Sequence, residues 1–209
     1  MDDQPPPSAW QRRSRRVAYE NQWITVWHDD VIRPDGEPGI YGVVHFHGLA
    51  VGVVAIDEGD RVALVGQHRY LLDSYSWEIP EGGVPAPEDP LAGAKRELQE
   101  ETGLVASNWA EIGRLHLSNS VTDEAAIAYL ATGLTAGPAS PDGTEQLVLR
   151  WVPFDEALAM ALDGRITDAL SVMPLLRIGL TRLRDAAGTT AATINATPPQ
   201  AASGRGTAR

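Results

Sequence analysis

Residues 82–104 read GGVPAPEDPLAGAKRELQEETGL, and three glutamates, Glu97, Glu100 and Glu101, lie within five positions of each other there. In a helix, residues three and four positions apart share a face, so the three carboxylates would point the same way. Like charges at this spacing destabilise an isolated helix by about 0.2–0.5 kcal/mol per pair. The stretch is therefore either a solvated helix face or the binding site of a positive group, and carboxylates on a rigid helix suit a hard divalent cation.

The same stretch contains signals for both ends of a helix. Asp89 is a suitable N-cap, Pro90 fits the first helical position, and Gly103 fits the C-terminal end. Apolar runs bounded by turn residues predict strands on both sides of this helix, and two helices follow them. The strands are predicted at 23–32, 41–57, 61–70, 76–83, 109–117, 125–134 and 147–153, and the later helices at 154–164 and 167–185. This order favours a mixed α/β sandwich over a regularly alternating parallel sheet.

Length and composition limit the architecture and the partners. The chain has 209 residues, a formal net charge of −11 and no cysteine. We expect one domain at residues 15–184, with disordered tails at 1–14 and 185–209. The acidic balance argues against nucleic-acid binding, and the lack of cysteine excludes thiolate metal sites and a cysteine nucleophile. No apolar run is long enough for a membrane span or a signal peptide, so we expect a cytoplasmic protein.

The glutamates belong to a longer pattern that resembles the Nudix box. The matching positions are Gly82, Glu88, Arg96, Glu97, Glu100, Glu101 and Gly103, with apolar Leu98 and Leu104. At typical residue frequencies of about one in fifteen, seven such matches arise by chance about once in 10⁸ registers. The resemblance extends beyond the box at 82–104, from about residue 17 to residue 183.

The resemblance implies a fold, a reaction and a cofactor. Nudix hydrolases share an α/β/α sandwich with a mixed sheet, and they cleave a nucleoside diphosphate linked to another group. They use Mg²⁺ or Mn²⁺, here two or three ions per site. By analogy Glu97 and Glu101 are metal ligands, Glu100 is a third ligand or a catalytic group, and the main-chain carbonyl of Glu81 also binds metal. Arg96 would pair with Glu88 to hold the loop-helix-loop, and Gly82 and Gly103 would be structural.

The stretch before the box resembles one branch of the family. ADP-ribose and nucleoside-diphosphate-sugar pyrophosphatases have a Gln-x-Arg followed by Glu-x-Pro-x-Gly, and here these are Gln67, Arg69, Glu78, Pro80 and Gly82. The resemblance implies that Arg69 and Gln67 bind the substrate, with Arg69 on its phosphates. In those enzymes alanine is common where this chain has Glu81. An exposed arginine at a strand end is the alternative interpretation of Arg69.

The stretch after the box matches the same branch. Those enzymes have a loop that ends in a glutamate, which is their proposed general base, and Glu124 in SNSVTDE occupies that position. The loop differs from the Ser-Pro-Gly type that many ADP-ribose enzymes have, which keeps other nucleotide sugars such as GDP-mannose as alternatives. Some family members use a box glutamate as the base, so Glu100 is the second candidate.

The N-terminal strands suggest a dimer, and aromatic residues suggest where a base or sugar would stack. In this branch the N-terminal strands often exchange between two subunits, which implies a homodimer formed through residues 17–45. Trp27, Tyr41 and Trp77 are our candidates for stacking on a base or sugar. Two other functions remain as alternatives: a nucleoside triphosphatase, and a non-catalytic nucleotide-binding Nudix module, although such modules tend to lose the box glutamates that are intact here.

Overall fold

The computed structural model describes residues 8–137 and 147–187. In this part of the chain, ten strands and three helices follow each other in the order β1 (Gln11–Glu20), β2 (Ile24–Ile32), β3 (Pro38–Phe46), β4 (Gly48–Ala55), β5 (Arg61–Arg69), β6 (Ser74–Glu78), β7 (Glu81–Pro85), α1 (Pro90–Thr102), β8 (Leu104–His116), β9 (Ala125–Ala136), β10 (Val148–Pro153), α2 (Phe154–Asp163) and α3 (Ala169–Ala186). The predicted strand at 76–83 is divided between β6 and β7, and β8 begins directly after the helix rather than at residue 109.

Helices cover both faces of a central mixed sheet. Its strands have the order β7-β4-β9-β8, with β4 and β9 parallel and the other two pairs antiparallel. Side chains of β4 alternate between the faces: Val51 and Val53 are buried in a cluster with Leu98 of α1, whereas Val54 is buried in a cluster with Leu175 of α3. A second sheet, β10-β5-β6, contributes to both clusters. The predicted α/β/α sandwich with a mixed sheet is confirmed.

Local sequence sets both ends of α1. The Asp89 side chain accepts a hydrogen bond from the Ala92 N–H at 3.0 Å, and Gly103 ends the helix in the left-handed conformation with φ of 68°. Gly93 approaches β7 so closely that a Cβ there would lie 2.4 Å from a methyl group of Val84. This close approach places the glutamates of α1 beside β7.

The N-terminal strands form a separate antiparallel sheet, β1-β2-β3. Strand β1 begins at Gln11, so the expectation of a disordered tail over residues 1–14 is wrong for residues 11–14. The strand forms because it pairs with β2 along its length and because Arg15 makes a two-bond ion pair with Asp29 at 2.7 Å. All ten residues of β1 are exposed. Its side chains therefore leave no apolar alternation in the sequence that would reveal a strand.

Parts of both expected tails fall outside the described residues. These are residues 1–7 of the predicted N-terminal tail and residues 188–209 of the predicted C-terminal tail. Helix α3 continues to Ala186, two residues beyond the predicted domain end at 184. Among the helices that the structure describes, none combines the length and the hydropathy that a membrane crossing requires.

Candidate active site

One cavity of about 1140 Å³ brings together most of the residues predicted to be functional. It lies where β5, β7 and α1 meet the loop before β9 and the start of α3. The predicted residues that line it are Gln67, Arg69, Glu81, Gly82, Arg96, Glu97, Glu100, Glu101 and Glu124. Gly103 lies outside it at the end of α1, and Glu88 lies outside it but contacts Arg96.

Arg96 links the carboxylates of the box. Its Nη1 donates to Glu97 Oε1 at 2.6 Å and to Glu100 Oε2 at 2.9 Å, and its Nη2 donates to Glu88 Oε2 at 3.0 Å and to the carbonyl of Gly83 at 2.9 Å. The hydrogen bond that Arg96 donates to Glu88, followed by those that it donates to Glu97 and Glu100, raises the pKa of Arg96 above its ordinary value. The predicted pair with Glu88 is present. Arg96 therefore offsets part of the like-charge repulsion along α1.

Strand β7 is fitted against the glutamate face of α1. A Cβ on Gly82 would lie 2.2 Å from the carboxyl carbon of Glu97, so this position accommodates no side chain without moving that carboxylate. The backbone N–H of Glu81 donates to Glu101 Oε2 at 3.0 Å. These two contacts place the carboxylates of Glu97 and Glu101 at the start of β7.

Arg69 lies on the opposite side of the same strand. Its Nε donates to both carboxylate oxygens of Glu78 at 3.0 Å, Nη2 contacts Glu78 as well, and Nη2 donates to Glu81 Oε1 at 2.7 Å. Glu78 is only 4 % exposed, and its hydrogen bonds are the largest cause that raises the pKa of Arg69. The guanidinium is thus permanently charged and fixed in direction, and it remains 35 % exposed towards the cavity.

The Glu81 side chain is an unusual buried acid. Its Oε2 is buried and accepts no hydrogen bond within the described residues. Burial is the largest cause that raises the pKa of Glu81 well above its ordinary value, and the negative charges of Asp168 and Glu78 raise it further, whereas Arg69 lowers it. A hydrogen bond between Glu81 and Asp168 can form only while one of the two carboxyls keeps a proton. The group therefore favours either a proton or a cation nearby.

Glu124 is partly buried in the loop between β8 and β9. Its backbone N–H donates to Thr122 Oγ1 at 2.9 Å, and its carbonyl accepts from the Leu117 N–H at 3.0 Å. Burial is the larger cause that raises the pKa of Glu124, and the charge of Asp168 is the other. A carboxyl with a raised pKa that lines the cavity, on a backbone held by two hydrogen bonds, suits proton transfer.

Sequence reasoning missed Asp168. This residue is the N-cap of α3, where its Oδ2 accepts from the Ser171 N–H at 2.6 Å, and it lines the cavity. Its charge affects the pKa of Glu81 and of Glu124 and also that of Arg69. The available signal was a capping residue directly before a helix. That residue follows the box by about 65 positions, and sequence alone cannot establish a contact over such a distance.

The aromatic residues predicted to stack on the substrate lie outside this cavity. Trp27 stacks on His45 with ring centroids 4.5 Å apart, and the Tyr41 hydroxyl donates to a carbonyl of the loop before β9 at 2.6 Å. In their place, Trp23 and Phe46 line the cavity. A role for Trp27 and Tyr41 in a partner subunit's site stays a prediction.

The donor set suits a hard divalent cation. Within residues 8–137 and 147–187, no three His, Asp or Glu side chains are grouped closely enough to hold a metal ion as they stand. The carboxylates of Glu97, Glu100 and Glu101 nevertheless share one cavity with the buried, unbonded Oε2 of Glu81. Oxygen ligands of this kind are those that Mg²⁺ and Mn²⁺ prefer, so the residues present fit such an ion.

Comparisons with known proteins agree with this geometry. The NUDIX domain family matches residues 46–173, and the nucleoside diphosphate sugar hydrolase N-terminal domain family matches residues 10–44. A CMP-5'-(N-acetyl-N-hydroxy-3-aminopropyl)phosphonate hydrolase of Streptomyces rubellomurinus is 34% identical over 182 residues, 86% of this chain and 87% of that protein. An ADP-ribose pyrophosphatase of Mycobacterium tuberculosis is 33% identical over 153 residues, 72% of this chain and 73% of that protein.

A solved structure shares the fold. The crystal structure of an ADP compounds hydrolase superposes with a TM-score of 0.76 at 19% identity, over 88% of this chain and 99% of that one. The family match covers more than half of the chain, and the box glutamates are complete. The chain belongs to the Nudix family of pyrophosphohydrolases, in the branch with a nucleoside diphosphate sugar hydrolase N-terminal domain.

Proposed function

We propose that this enzyme hydrolyses the diphosphate bond of a nucleoside diphosphate sugar, with ADP-ribose as the first candidate and AMP and ribose 5-phosphate as its products. The observation that supports this most directly is the single cavity in which a fixed arginine, the box carboxylates and Glu124 face each other. The cavity volume of about 1140 Å³ slightly exceeds the range of about 300–1,000 Å³ that is typical of small-molecule sites, and it suits a two-part substrate.

Each group in the cavity has a role in this reaction. Nudix hydrolases generally use divalent metal ions, and we propose that Glu97, Glu100 and Glu101 with the Glu81 carbonyl hold them here. A cation bound there would neutralise part of the diphosphate charge and would lower the pKa of a water molecule bound to it. Arg69 binds phosphate oxygens with the N–H groups that face the cavity.

Glu124 acts as the base. It accepts a proton from the water whose oxygen attacks one phosphorus, and the bridging P–O bond breaks as the other phosphate leaves. The raised pKa of Glu124, caused by burial and by the charge of Asp168, strengthens it as a proton acceptor. Trp23 and Phe46 are positioned to stack on the base or sugar at the other end of the cavity.

The proposed homodimer forms through the N-terminal sheet. Exposed apolar side chains lie on its strands: Val17 is 53% exposed, Tyr19 56% and Ile40 69%. Apolar groups at this exposure suit contact with a second copy of the chain. Light scattering after size-exclusion chromatography tests this, because a monomeric mass at micromolar concentration would exclude the dimer.

A second candidate substrate has a specific basis. The relative from Streptomyces rubellomurinus is named for hydrolysis of a CMP-linked phosphonate, and it matches 86% of this chain. A nucleotide joined to a phosphonate contains the same kind of phosphorus anhydride, so the proposed groups would serve it equally.

Product analysis over a substrate panel tests the proposal. Purified protein with Mg²⁺ or Mn²⁺ is given ADP-ribose, ADP-glucose, GDP-mannose, a CMP-linked phosphonate and nucleoside triphosphates, beside a Glu101→Gln control. We expect AMP from ADP-ribose, lost in the control, and a fall of about 10²-fold in turnover for Glu124→Gln. Near-normal turnover of Glu124→Gln would assign the base to a box glutamate, Glu97 or Glu100. Cleavage of triphosphates alone, or of nothing, would contradict the proposal.

A further inference from the structure

The loop that contains Glu124 is attached to the N-terminal sheet. The Val44 N–H of β3 donates to the carbonyl of Val121 at 2.8 Å, and the Asp123 N–H donates to the carbonyl of Val44 at 3.3 Å. The Tyr41 hydroxyl donates to the carbonyl of Ser120 at 2.6 Å. The loop therefore follows β3 as a short parallel bridge, and the N-terminal sheet fixes its outer side.

Asp123 makes the side-chain part of this attachment. Its Oδ1 accepts from the Phe46 N–H at 3.0 Å, and its Oδ2 lies 2.5 Å from His45 Nδ1. The His45 ring is itself held by stacking on Trp27, with an interplanar angle of 12°. Both oxygens of one carboxylate are thus bound by neighbouring residues at the end of β3.

Asp123 directly precedes Glu124, and the backbone of Glu124 is bound on its other sides. Thr122 accepts from its N–H and Leu117 donates to its carbonyl. A shift of Asp123 must therefore change the direction in which the Glu124 side chain leaves the backbone. Because Phe46 also lines the cavity, the same contact joins the loop to a second part of the cavity lining.

We propose that Asp123 is a positioning residue, which holds the Glu124 carboxylate in place by fixing its loop to His45 and Phe46 of the N-terminal sheet. This rests on the proposed role of Glu124 as the base. The side chains of Asp123 and His45 are 46% and 35% exposed, so their pair contributes little to the stability of the fold. A displacement of about 1 Å at a reacting group, in contrast, reduces turnover by about 10²-fold.

Three variants test the proposal. Asp123→Ala should lower kcat by about 10- to 100-fold with KM changed less than about twofold, because the substrate contacts remain. Asp123→Asn keeps an oxygen for the Phe46 N–H and an amide for His45, so it should recover most of kcat. Asp30→Ala is the matched control, since it removes a His–Asp pair of the same sheet, 3.5 Å from His28, and should leave kcat unchanged.

A double-mutant cycle separates positioning from a general structural effect. In a Glu124→Gln background, Asp123→Ala should cause no further loss of kcat, because the group that it positions is already absent. A further loss of the same size, a raised KM at unchanged kcat, or equal effects of Asp123→Ala and Asp30→Ala would each overturn the proposal. Normal turnover of Glu124→Gln alone would instead refute the base assignment, which is measured separately. Thermal unfolding of every variant shows that the fold is kept.

Discussion

Gly82→Ala is expected to displace the carboxylate of Glu97, a proposed metal ligand, without unfolding the protein. The added Cβ would lie 2.2 Å from the carboxyl carbon of Glu97 and 2.3 and 2.5 Å from its oxygens. Carbon atoms pack at about 3.5 Å, so the carboxylate must retreat by about 1.3 Å. Metal sites tolerate about 0.2 Å in ligand distance, so Glu97 would no longer be positioned to bind.

The functional effect should be large and the stability effect small. A misplacement of about 1 Å at a catalytic site costs about 10²-fold in rate, which corresponds to about 2.7 kcal/mol of activation free energy. Gly82 does not have a left-handed φ, and the atoms that must move are the end of a flexible side chain. The melting temperature of Gly82→Ala should therefore stay close to that of the parent chain.

Gly83→Ala is the matched control for this experiment. It is the next residue of the same strand, and a Cβ there meets nothing within 4 Å. Isothermal titration with Mn²⁺ and steady-state turnover should show weakened binding and a loss of about 10²-fold for Gly82→Ala, with neither change for Gly83→Ala. Equal metal affinity and turnover in the two variants would refute the reasoning from this close contact.

Asp168→Asn keeps an acceptor for the N-cap of α3 but removes a charge that raises the pKa of Glu124, so the acid limb of kcat/KM against pH should move to lower pH. In Arg96→Lys the side chain cannot reproduce the planar array of hydrogen bonds that Arg96 donates to Glu88 and its other partners. Turnover should therefore fall about 10- to 100-fold in steady-state assays. Burial raises the pKa of Glu81 in the folded protein above its ordinary value of about 4.5. The free energy of unfolding therefore falls as the pH rises from about 4.5 through the pKa of the folded state. Urea unfolding in the presence of a chelator tests this. The free energy of unfolding of Glu81→Gln minus that of the parent chain should be larger at pH 8 than at pH 4.

The box helix and the sandwich were predictable because local signals determine them. Asp89 and Gly103 determine the ends of α1 through a cap and a left-handed residue, and both signals are readable within a few positions. Strand β1 gave no such signal. Its residues are exposed on both faces, and its register depends on pairs with β2 such as Arg15 with Asp29, which no periodicity reveals.

The sequence predicted the box residues that line the cavity, but it did not predict all of the lining residues from other segments of the chain. Trp23 and Trp27 are both tryptophans of the same N-terminal segment, but only Trp23, in the turn before β2, lines the cavity, whereas Trp27 lies within the strand and stacks on His45. Asp168 belongs to α3, and its contact with the site is set by how that helix packs on β4. Such distant contacts follow from packing rather than from a local pattern.

The bonds of Arg96 have a consequence for how the enzyme would take up the proposed cation. The loop-helix-loop contains its own counter-ion, which joins Glu88, Glu97 and Glu100 to the backbone of β7. Loading is then an exchange of partners at a prebuilt framework, unlike small metalloproteins in which ion binding supplies the folding energy. On the proposed function, the enzyme would pass reversibly between cation-poor and cation-rich conditions, and its activity would follow the supply of the ion while its fold persists.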